Sequence, residues 1–371
     1  MSRAGPSVLL VTANLDAGGS ERQLAGMANY WAAHGVRVTV VSWNKPDSAD
    51  FYSLDPRVRR RHLHAASAGG TLGTLISTLR RIFRLRRLIG AERPDAIISF
   101  ITESNVLTLL AGMGLKTRIV VSERAHPALD LGVPRPWRLL RTFLYSSAAE
   151  VVAQTRETAG WIEQHCGART RVIPNALRAL PPVPSGGRQP LIVAVGRLVT
   201  QKGFDLLLAA FARIAVEFPE WRLVIIGEGP ERASLLEQRD RLGLAGRAEL
   251  IGRSDAVESW MAQAGLVVQP SRFEGFPNVV LEAMGMGAAV VSANCLAGPA
   301  DLIRDGVNGR LVPVEDIEAL AEAMRTLLAE PEMRVRLGRE ALAVRDRFRE
   351  ERVMALWSDY LARVPACAVE T

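Results

Sequence analysis

Leu191-Ile192-Val193-Ala194-Val195 runs directly into Gly196-Arg197-Leu198-Val199-Thr200-Gln201-Lys202-Gly203. An unbroken apolar run without polar alternation reads as a strand buried on both faces. Glycines bracket the loop that follows, so the chain turns at Gly196 and a helix is predicted to start near Gly203. The same pattern recurs on both sides of this stretch. Upstream, strands are predicted at 8–13, 36–43, 96–101, 118–123, 150–154 and 171–173; downstream, at 221–226, 248–251, 266–269 and 289–292. Helical periodicity fills the intervals; Ser20 is placed to cap the first helix and Gly35 to end it. Val/Ile/Leu-rich strands alternating with helices predict parallel sheets covered on both faces, and two such series predict two doubly wound α/β domains. The seam is placed at 180–190, Leu-Pro-Pro-Val-Pro-Ser-Gly-Gly-Arg-Gln-Pro, a composition that continues neither a helix nor a central strand. Beyond about 315 the pattern is helical, with helices expected at 315–329, 332–348 and 351–363.

A length of 371 residues fits two or three domains. Hydrophobic residues at 48% and charged residues at 23% exclude disordered, collagen-like and fibrous chains. The net charge of +7 is uneven: residues 1–185 carry +11 and the remainder −4. Only Lys45, Lys116 and Lys202 are lysines, so arginine dominates, a bias that genome composition alone can produce. The asymmetry between the halves points instead to an anionic partner of the first half: phosphate, nucleic acid or a membrane surface. Cys166, Cys295 and Cys367 have neither metal-ligand spacing nor a disulfide framework, as expected in a reducing cytosol. No apolar run reaches the ~20 residues of a spanning helix, and a strand-like run follows Met1–Pro6 at once, so neither a membrane span nor a signal peptide is expected.

In open α/β sheets ligands bind beyond the carboxyl ends of strands, so the residues just after strands matter most. After 266–269 comes Ser271-Arg272-Phe273-Glu274-Gly275-Phe276-Pro277-Asn278-Val279-Val280-Leu281-Glu282-Ala283-Met284. Pro277 suits a first helical turn, Gly275 admits a ligand close to the backbone, and the amides of 275–278 would face out of the positive helix end. Either glutamate alone could simply offset that dipole. In the opening stretch, Arg197 and Lys202 are two cations able to face one diphosphate, Arg as a fork and Lys as a point charge. Asp16-Ala17-Gly18-Gly19-Ser20-Glu21-Arg22 is a Gly-Gly loop opening a helix, suited to a phosphate or sugar. Val120-Val121-Ser122-Glu123-Arg124-Ala125-His126-Pro127 brings Glu123, Arg124 and His126 to a strand end.

Two glutamates with seven residues between them, in Glu-Gly-Phe-Pro followed by Leu-Glu-Ala, resemble the hallmark of the retaining nucleotide-sugar glycosyltransferases of family 4. The resemblance extends over about 8–345, through Gly-Gly-Ser-Glu-Arg, Val172-Ile173-Pro174-Asn175-Ala176 and the Gly298-Pro299 to Pro313 stretch. It implies a GT-B fold: two Rossmann-like domains facing an interdomain cleft, 1–180 for the acceptor and 190–348 for the nucleotide sugar, with a last helix at about 349–371 crossing back to the first. It implies that Glu274 contacts donor-sugar hydroxyls and Glu282 the ribose hydroxyls, work that suits acceptor-only carboxylates. By the same resemblance Arg197 and Lys202 bind the diphosphate, Gly18 and Gly19 border the donor phosphates, and Gly275, Phe276, Pro277 and Asn278 form the donor loop. Arg253 is expected beside the base pocket at 251–253. His126 is the candidate for the family's first-domain histidine, although it lies further from the strand end than is usual. The catalytic set is thus Glu274, His126, Arg197 and Lys202. Asp-x-Asp is absent, and two cations with a helix N-terminus can stabilise a departing diphosphate, so no metal or other cofactor is expected.

Residues 57–93 hold ten arginines and a single acid, Glu92. Periodicity predicts a helix over 72–89 with Leu72, Leu75, Leu79, Ile82 and Ile89 on one side and Arg80, Arg84 and Arg87 on the opposite face. That basic face suits an anionic membrane or an acceptor diphosphate, but equally an ordinary solvated surface; no nucleic-acid-binding pattern accompanies it. The expected activity is hexose transfer from a nucleotide sugar, foremost a UDP-sugar, to a polyprenyl-diphosphate-linked saccharide or growing polysaccharide. The expected location is the cytoplasm, peripheral at the inner membrane face. The alternatives are a non-catalytic GT-B subunit that binds a glycan or partner transferase, and a nucleotide-sugar epimerase or hydrolase.

Overall fold

The computed structural model describes residues 5–16, 18–45, 48–65, 69–129, 132–183 and 187–362. Ala17 of the Gly-Gly loop, 184–186 of the proposed linker, and 363–371 with Cys367 lie outside them. Contacts cluster into two compact units, Met1–Asn175 with Glu351–Thr371, and Ala176–Glu350.

The strands are β1 Ser7–Val11, β2 Arg37–Ser42, β3 Arg59–His62, β4 Ala96–Phe100, β5 Arg118–Ser122, β6 Glu150–Ala153 and β7 Thr170–Val172, then β8 Gln189–Val195, β9 Arg222–Ile226, β10 Ala248–Gly252, β11 Ala264–Gln269, β12 Val290–Ala293 and β13 Arg310–Val312. The helices are α1 Gly19–Ala33, α2 Gly70–Glu92, α3 Thr102–Gly112, α4 Arg135–Leu144, α5 Arg156–Cys166, α6 Phe204–Ile214, α7 Arg232–Arg241, α8 Val257–Gln263, α9 Asn278–Gly285, α10 Pro299–Leu302, α11 Ile317–Ala329, α12 Pro331–Ala341, α13 Val344–Arg347 and α14 Glu350–Ala362.

Both predicted doubly wound sheets are present. The first unit orders its strands β3-β2-β1-β4-β5-β6-β7 and the second β10-β9-β8-β11-β12-β13. All pairings are parallel, with Val11 opposite Val41 and Ser99 across β1, and Leu266 and Val267 opposite Ile192 and Val193 across β8 and β11. Each order reverses once, between β1 and β4 and between β8 and β11, and such switch points are where open α/β sheets receive ligands. Sheet residues alternate between two apolar layers. In the second unit Ile192, Ala194 and Leu223 join one cluster, and Leu191, Val193 and Val224 the other. In the first unit one face of the sheet carries α2, α3 and α5 through Leu85, Ile89, Leu107 and Ile162, with Trp137 and Leu144 of α4 packed against them.

α14 belongs to the first unit. Trp31 Nε1 donates to Ser358 Oγ at 3.2 Å, Arg171 pairs with Asp359 at 2.7 Å, and Trp357 meets Phe100 edge-on at 6.1 Å. The change of unit falls at Asn175, before the Pro/Gly stretch placed at 180–190, because Leu177 and Leu180 pack into the second unit's core.

The structure departs from the local expectations at several points, and β13 was not predicted. Helix α1 is capped by Gly18 rather than Ser20, whose hydroxyl donates to Glu21 instead. β3 is missed because Arg-Arg-Arg-His has no apolar run; it is an edge strand paired only with β2. The helix expected at 332–348 divides at Leu342-Ala343, where i→i+3 bonds such as Arg345 N to Leu342 O replace the α pattern. Most consequentially, Leu72, Leu75 and Leu79 do not face the core. They are 70%, 55% and 57% exposed, and the buried residues of that half of α2 are the small Gly73 and Ser77, which let α2 lie close to its neighbour.

Candidate active site

Because β8 and β11 are neighbours at the switch point, the loops that leave them emerge side by side although about 70 residues separate them in sequence. Backbone and side chain stitch them together: Arg272 N donates to Gln201 O at 2.8 Å, and Gln201 Nε2 to Phe273 O at 2.9 Å. Gly203 makes the approach possible. Its φ is +67°, and a Cβ there would lie 2.2 Å from Pro270 O.

The stem of Lys202 crosses Gly196, and its ammonium donates to Glu274 Oε1 at 2.6 Å. The same oxygen accepts from Ser271 Oγ at 2.7 Å and from Gln269 Nε2 at 2.9 Å. Glu274 is 6% exposed, so a buried carboxylate is held by one cation and two neutral donors. All three use Oε1. Lys202 retains N–H bonds beyond the one given to Glu274, and Oε2 of Glu274 keeps its acceptor capacity. The pair therefore presents a cation and a carboxylate oxygen together.

Arg272 braces these loops. It grips Asp205 with two bonds of 2.9 and 2.8 Å, reaches Glu315 at 2.8 Å, and donates to Thr200 O at 2.7 Å. The hydrogen bonds to Asp205 hold its guanidinium protonated above the usual range. Burial alone would raise the Asp205 carboxyl, but the Arg272 bonds and charge hold it below its ordinary value.

Pro277 is the N-cap of α9 rather than its first helical residue, and Gly298, at φ +127°, packs where a Cβ would be 2.4 Å from the proline ring. The Asn278 amide turns back to Phe276 O at 2.9 Å, so the outward amides of the first turn are those that follow it, at Val279 and Val280. Phe276 is buried in the core, edge-on to Phe348 at 6.3 Å. Glu282 lies one turn into α9, 6% exposed, and accepts from Arg178 Nη2 at 3.1 Å. Arg178 also pairs with Glu258, so one guanidinium joins two carboxylates. Arg197 and Arg253 are exposed on the loops after β8 and β10.

In the first unit, Gly18 and Gly19 stand at the start of α1, but the Glu21 carboxylate lies over Gly18, within 2.1 Å of where a Cβ would be. The 122–127 loop departs from expectation. Glu123 is 2% exposed and accepts from Thr102 Oγ1 at 2.9 Å and from the Tyr145 hydroxyl, closing an internal network with Asn105. The His126 ring is 3% exposed, edge-on to Trp161 at 6.1 Å, and its Nδ1 accepts from Ala128 N at 3.3 Å. Burial pushes its imidazole below the ordinary value, with Glu157 pulling the other way. Its side chain is buried against Trp161 rather than exposed at the strand end. Burial likewise lowers the Arg124 guanidinium to about 9, against the pull of Glu21; it stacks over Phe100 at 4.9 Å and bonds Asn175.

Two family models cover most of the chain: a glycosyl transferase 4-like domain over residues 18–176 and glycosyl transferases group 1 over residues 181–344. The chain belongs to the family 4 glycosyltransferases. This glycosyltransferase is 24% identical over 366 residues to the amylovoran biosynthesis glycosyltransferase AmsD of Erwinia amylovora, covering 95% of this chain and 99% of that one. It is 25% identical over 361 residues to a Campylobacter jejuni enzyme named as an α-1,4-N-acetylgalactosaminyltransferase acting on a diphospho-undecaprenol-linked saccharide, covering 96% and 98%. An exopolysaccharide phosphotransferase of Streptomyces coelicolor is 30% identical over 285 residues, 74% of this chain but only 29% of that longer protein. Among solved structures, sucrose-phosphate synthase of Thermosynechococcus elongatus superposes with a TM-score of 0.81 at 20% identity, covering 97% and 99% of the two chains. HepE of Anabaena, solved with UDP, gives 0.78 at 20% identity, covering 96% and 99%. The fold is GT-B.

In this glycosyltransferase the predicted Lys202 and Glu274 meet directly, and Glu282 lies on α9, the helix that follows the 275–278 loop. Sequence reasoning missed Gln269, Ser271, Arg178 and Arg272. Gln269 and Ser271 carried a usable signal: two polar residues flanking Pro270 at the end of an apolar strand, just before the glutamate motif. Arg178 carried none, since it lies about 100 residues from Glu282 in sequence.

Proposed function

We propose that the protein is a retaining glycosyltransferase that moves a hexose-type sugar from a nucleotide sugar, foremost a UDP-sugar, to a hydroxyl of a lipid-linked saccharide or growing polysaccharide. The observation that carries this is the Lys202–Glu274 pair with its Ser271 and Gln269 supports. Lys202, Arg197 and the first amides of α9 bind the donor diphosphate. As the anomeric C–O bond breaks, charge grows on that diphosphate, and fixed donors already aimed at it stabilise the departing group. Two cations and a helix N-terminus do this without a metal ion. Glu274 Oε2 accepts from sugar hydroxyls. Its charge is drawn by three donors at Oε1, which makes it a poor covalent nucleophile, so it binds the sugar rather than attacking it. Glu282, steadied by Arg178, accepts from the ribose hydroxyls. Support for the substrate classes comes from relatives named for amylovoran and undecaprenol-linked saccharide synthesis, and from a structural neighbour solved with UDP.

The first unit, carrying the +11 half, receives the acceptor at the cytoplasmic membrane face. We infer that attachment is peripheral, resting on the basic first half; no helix among the described residues is long and apolar enough to cross a membrane. The test is incubation with radiolabelled UDP- and GDP-sugars and a membrane lipid extract. Label should pass to the lipid phase from a UDP-sugar. Release of free sugar alone, or no stabilisation of the protein by any nucleoside diphosphate, would refute the assignment.

A further inference from the structure

The first half of the apolar stripe predicted on α2 is exposed. Leu72, Leu75 and Leu79 are joined by Phe83, 68% exposed, and on α4 Leu139 and Phe143 are 62% and 75% exposed. The two helices share one layer. α2 and α4 both pack against α3, and the inward residues of both, Ile82 and Leu85 from one and Trp137 and Leu144 from the other, meet the same cluster on one face of the sheet. The side chains left outside that cluster therefore emerge on the same side of the first unit. Scattered apolar residues are ordinary on a surface, but large ones grouped on the two helices that flank α3 mark a docking face.

Arginines border it. Ile76, Leu79 and Phe83 line one shallow depression with Arg80 and Arg84. α2 carries no acid before Glu92, and α4 none at all, while Arg87 and Arg135 add exposed cations. The occupant must accept hydrocarbon and balance positive charge together. A second copy meeting this face with its own would oppose arginine to arginine. A bilayer with anionic headgroups satisfies both demands, since leucine and phenylalanine enter the acyl boundary while arginines meet the headgroups.

We propose that the outer face of α2 and α4 docks on an anionic bilayer by inserting Leu79, Phe83 and their apolar neighbours, with Arg80, Arg84 and Arg87 at the headgroups. This deepens the membrane-facing reading above and rests on it, but its test involves no sugar transfer. The full chain is sedimented with vesicles of phosphatidylcholine alone or mixed with phosphatidylglycerol. Wild-type protein should prefer the anionic vesicles. The R80Q/R84Q/R87Q variant should lose that preference by about 100-fold in partitioning, at roughly fivefold per charge. In about 0.5 M salt, where charges are screened, residual binding should persist in the wild type and fall at least tenfold in L79S/F83S.

Both variants change exposed side chains, and the charge variant gives up only the Arg84 bond to the His64 carbonyl, so their unfolding midpoints should lie within a few degrees of the wild type. The proposal is overturned if wild-type protein binds both vesicles equally, if L79S/F83S keeps the salt-resistant binding, or if those serines instead abolish a dimer seen in sedimentation velocity. Vesicle binding without any sugar transfer would support this surface and sink only the transferase reading.

Discussion

Replacing Lys202 by alanine separates two roles that the site merges. In the wild type its ammonium lies 2.6 Å from Glu274 Oε1, with the two side chains 17% and 7% exposed. Removing one partner of a buried pair costs ~3–5 kcal/mol, because the other charge is left uncompensated. Here Ser271 and Gln269 still donate to the stranded carboxylate, and water can reach the space left by a partly exposed lysine, so about 2–3 kcal/mol is expected. For a unit of this size that lowers its unfolding midpoint by roughly 5–10 °C. Adding Glu274→Gln should restore most of the loss, since a neutral amide needs no cation. Turnover should respond differently. If Lys202 also stabilises the departing diphosphate, Lys202→Ala lowers kcat by about 10²–10³, and Glu274→Gln does not restore it. Differential scanning calorimetry and initial rates on the four proteins of this double-mutant cycle read both quantities. A Lys202→Ala enzyme with unchanged midpoint and near-wild-type turnover would refute both roles. Recovery of turnover in the double variant would leave Lys202 as a neutraliser of Glu274 only.

Arg178→Ala frees Glu282 from its 3.1 Å partner, so KM for the nucleotide sugar should rise about tenfold with kcat within a few-fold, and discrimination against the 2′-deoxyribose donor should weaken; an unchanged KM would sink the positioning role. Gly203→Val places a side chain at φ +67° against Pro270 O, 2.2 Å from its Cβ, and should destabilise the second unit by about 2–5 kcal/mol in denaturant titration; a loss under 1 kcal/mol would show that the loop can move aside. The folded-state His126 imidazole lies below its ordinary 6.5, pressed there by burial against the pull of Glu157 and helped down by Arg141 and His165. Its contribution to stability is therefore full above pH 6.5 and is lost as pH falls through the folded value. His126→Gln should flatten that acid slope, and an unaltered slope would refute the burial argument. Turnover in the presence of a strong chelator should stay within a few-fold of the untreated rate, as the proposed binding of the diphosphate by Arg197, Lys202 and the α9 amides requires; complete loss restored by a divalent ion would contradict this proposal.

How legible was each feature before the tertiary structure? Buried strands were read almost to the residue where apolar runs were unbroken, as at Leu191–Val195, because a parallel strand covered on both faces has no reason to alternate. Of the edge strands, those predicted at 171–173 and 248–251 were read, but Arg59–His62 and the three-residue Arg310–Val312 were not, because neither offers an apolar run. The glutamate loop was legible because its glycine and proline are local signals of a turn and a helix start, while the spacing of Glu274 and Glu282 was read from the resemblance to the family. The burial of His126 and Glu123 was not legible, because position after a strand says where the backbone goes, not which way a ring or carboxylate turns. Burial against Trp161 and hydrogen bonding to Tyr145 settled that. α2 failed differently. Its periodicity correctly announced an apolar stripe, and the stripe faces outward because the smaller Gly73 and Ser77 win the packing surface.

The sequence by itself therefore determined the two doubly wound sheets, the loops that follow β8 and β11, and the glutamates and cations they carry. Those follow from short-range rules: strand burial, turn chemistry and helix starts. Only the tertiary structure decided which of these residues meet. Strand order sets β8 beside β11, and that adjacency, invisible along the chain, brings Lys202 onto Glu274 and lets Arg178 reach Glu282. Pairing across 72 and 104 residues is a property of the sheet, because the free energy that selects the order is spread over the whole apolar core.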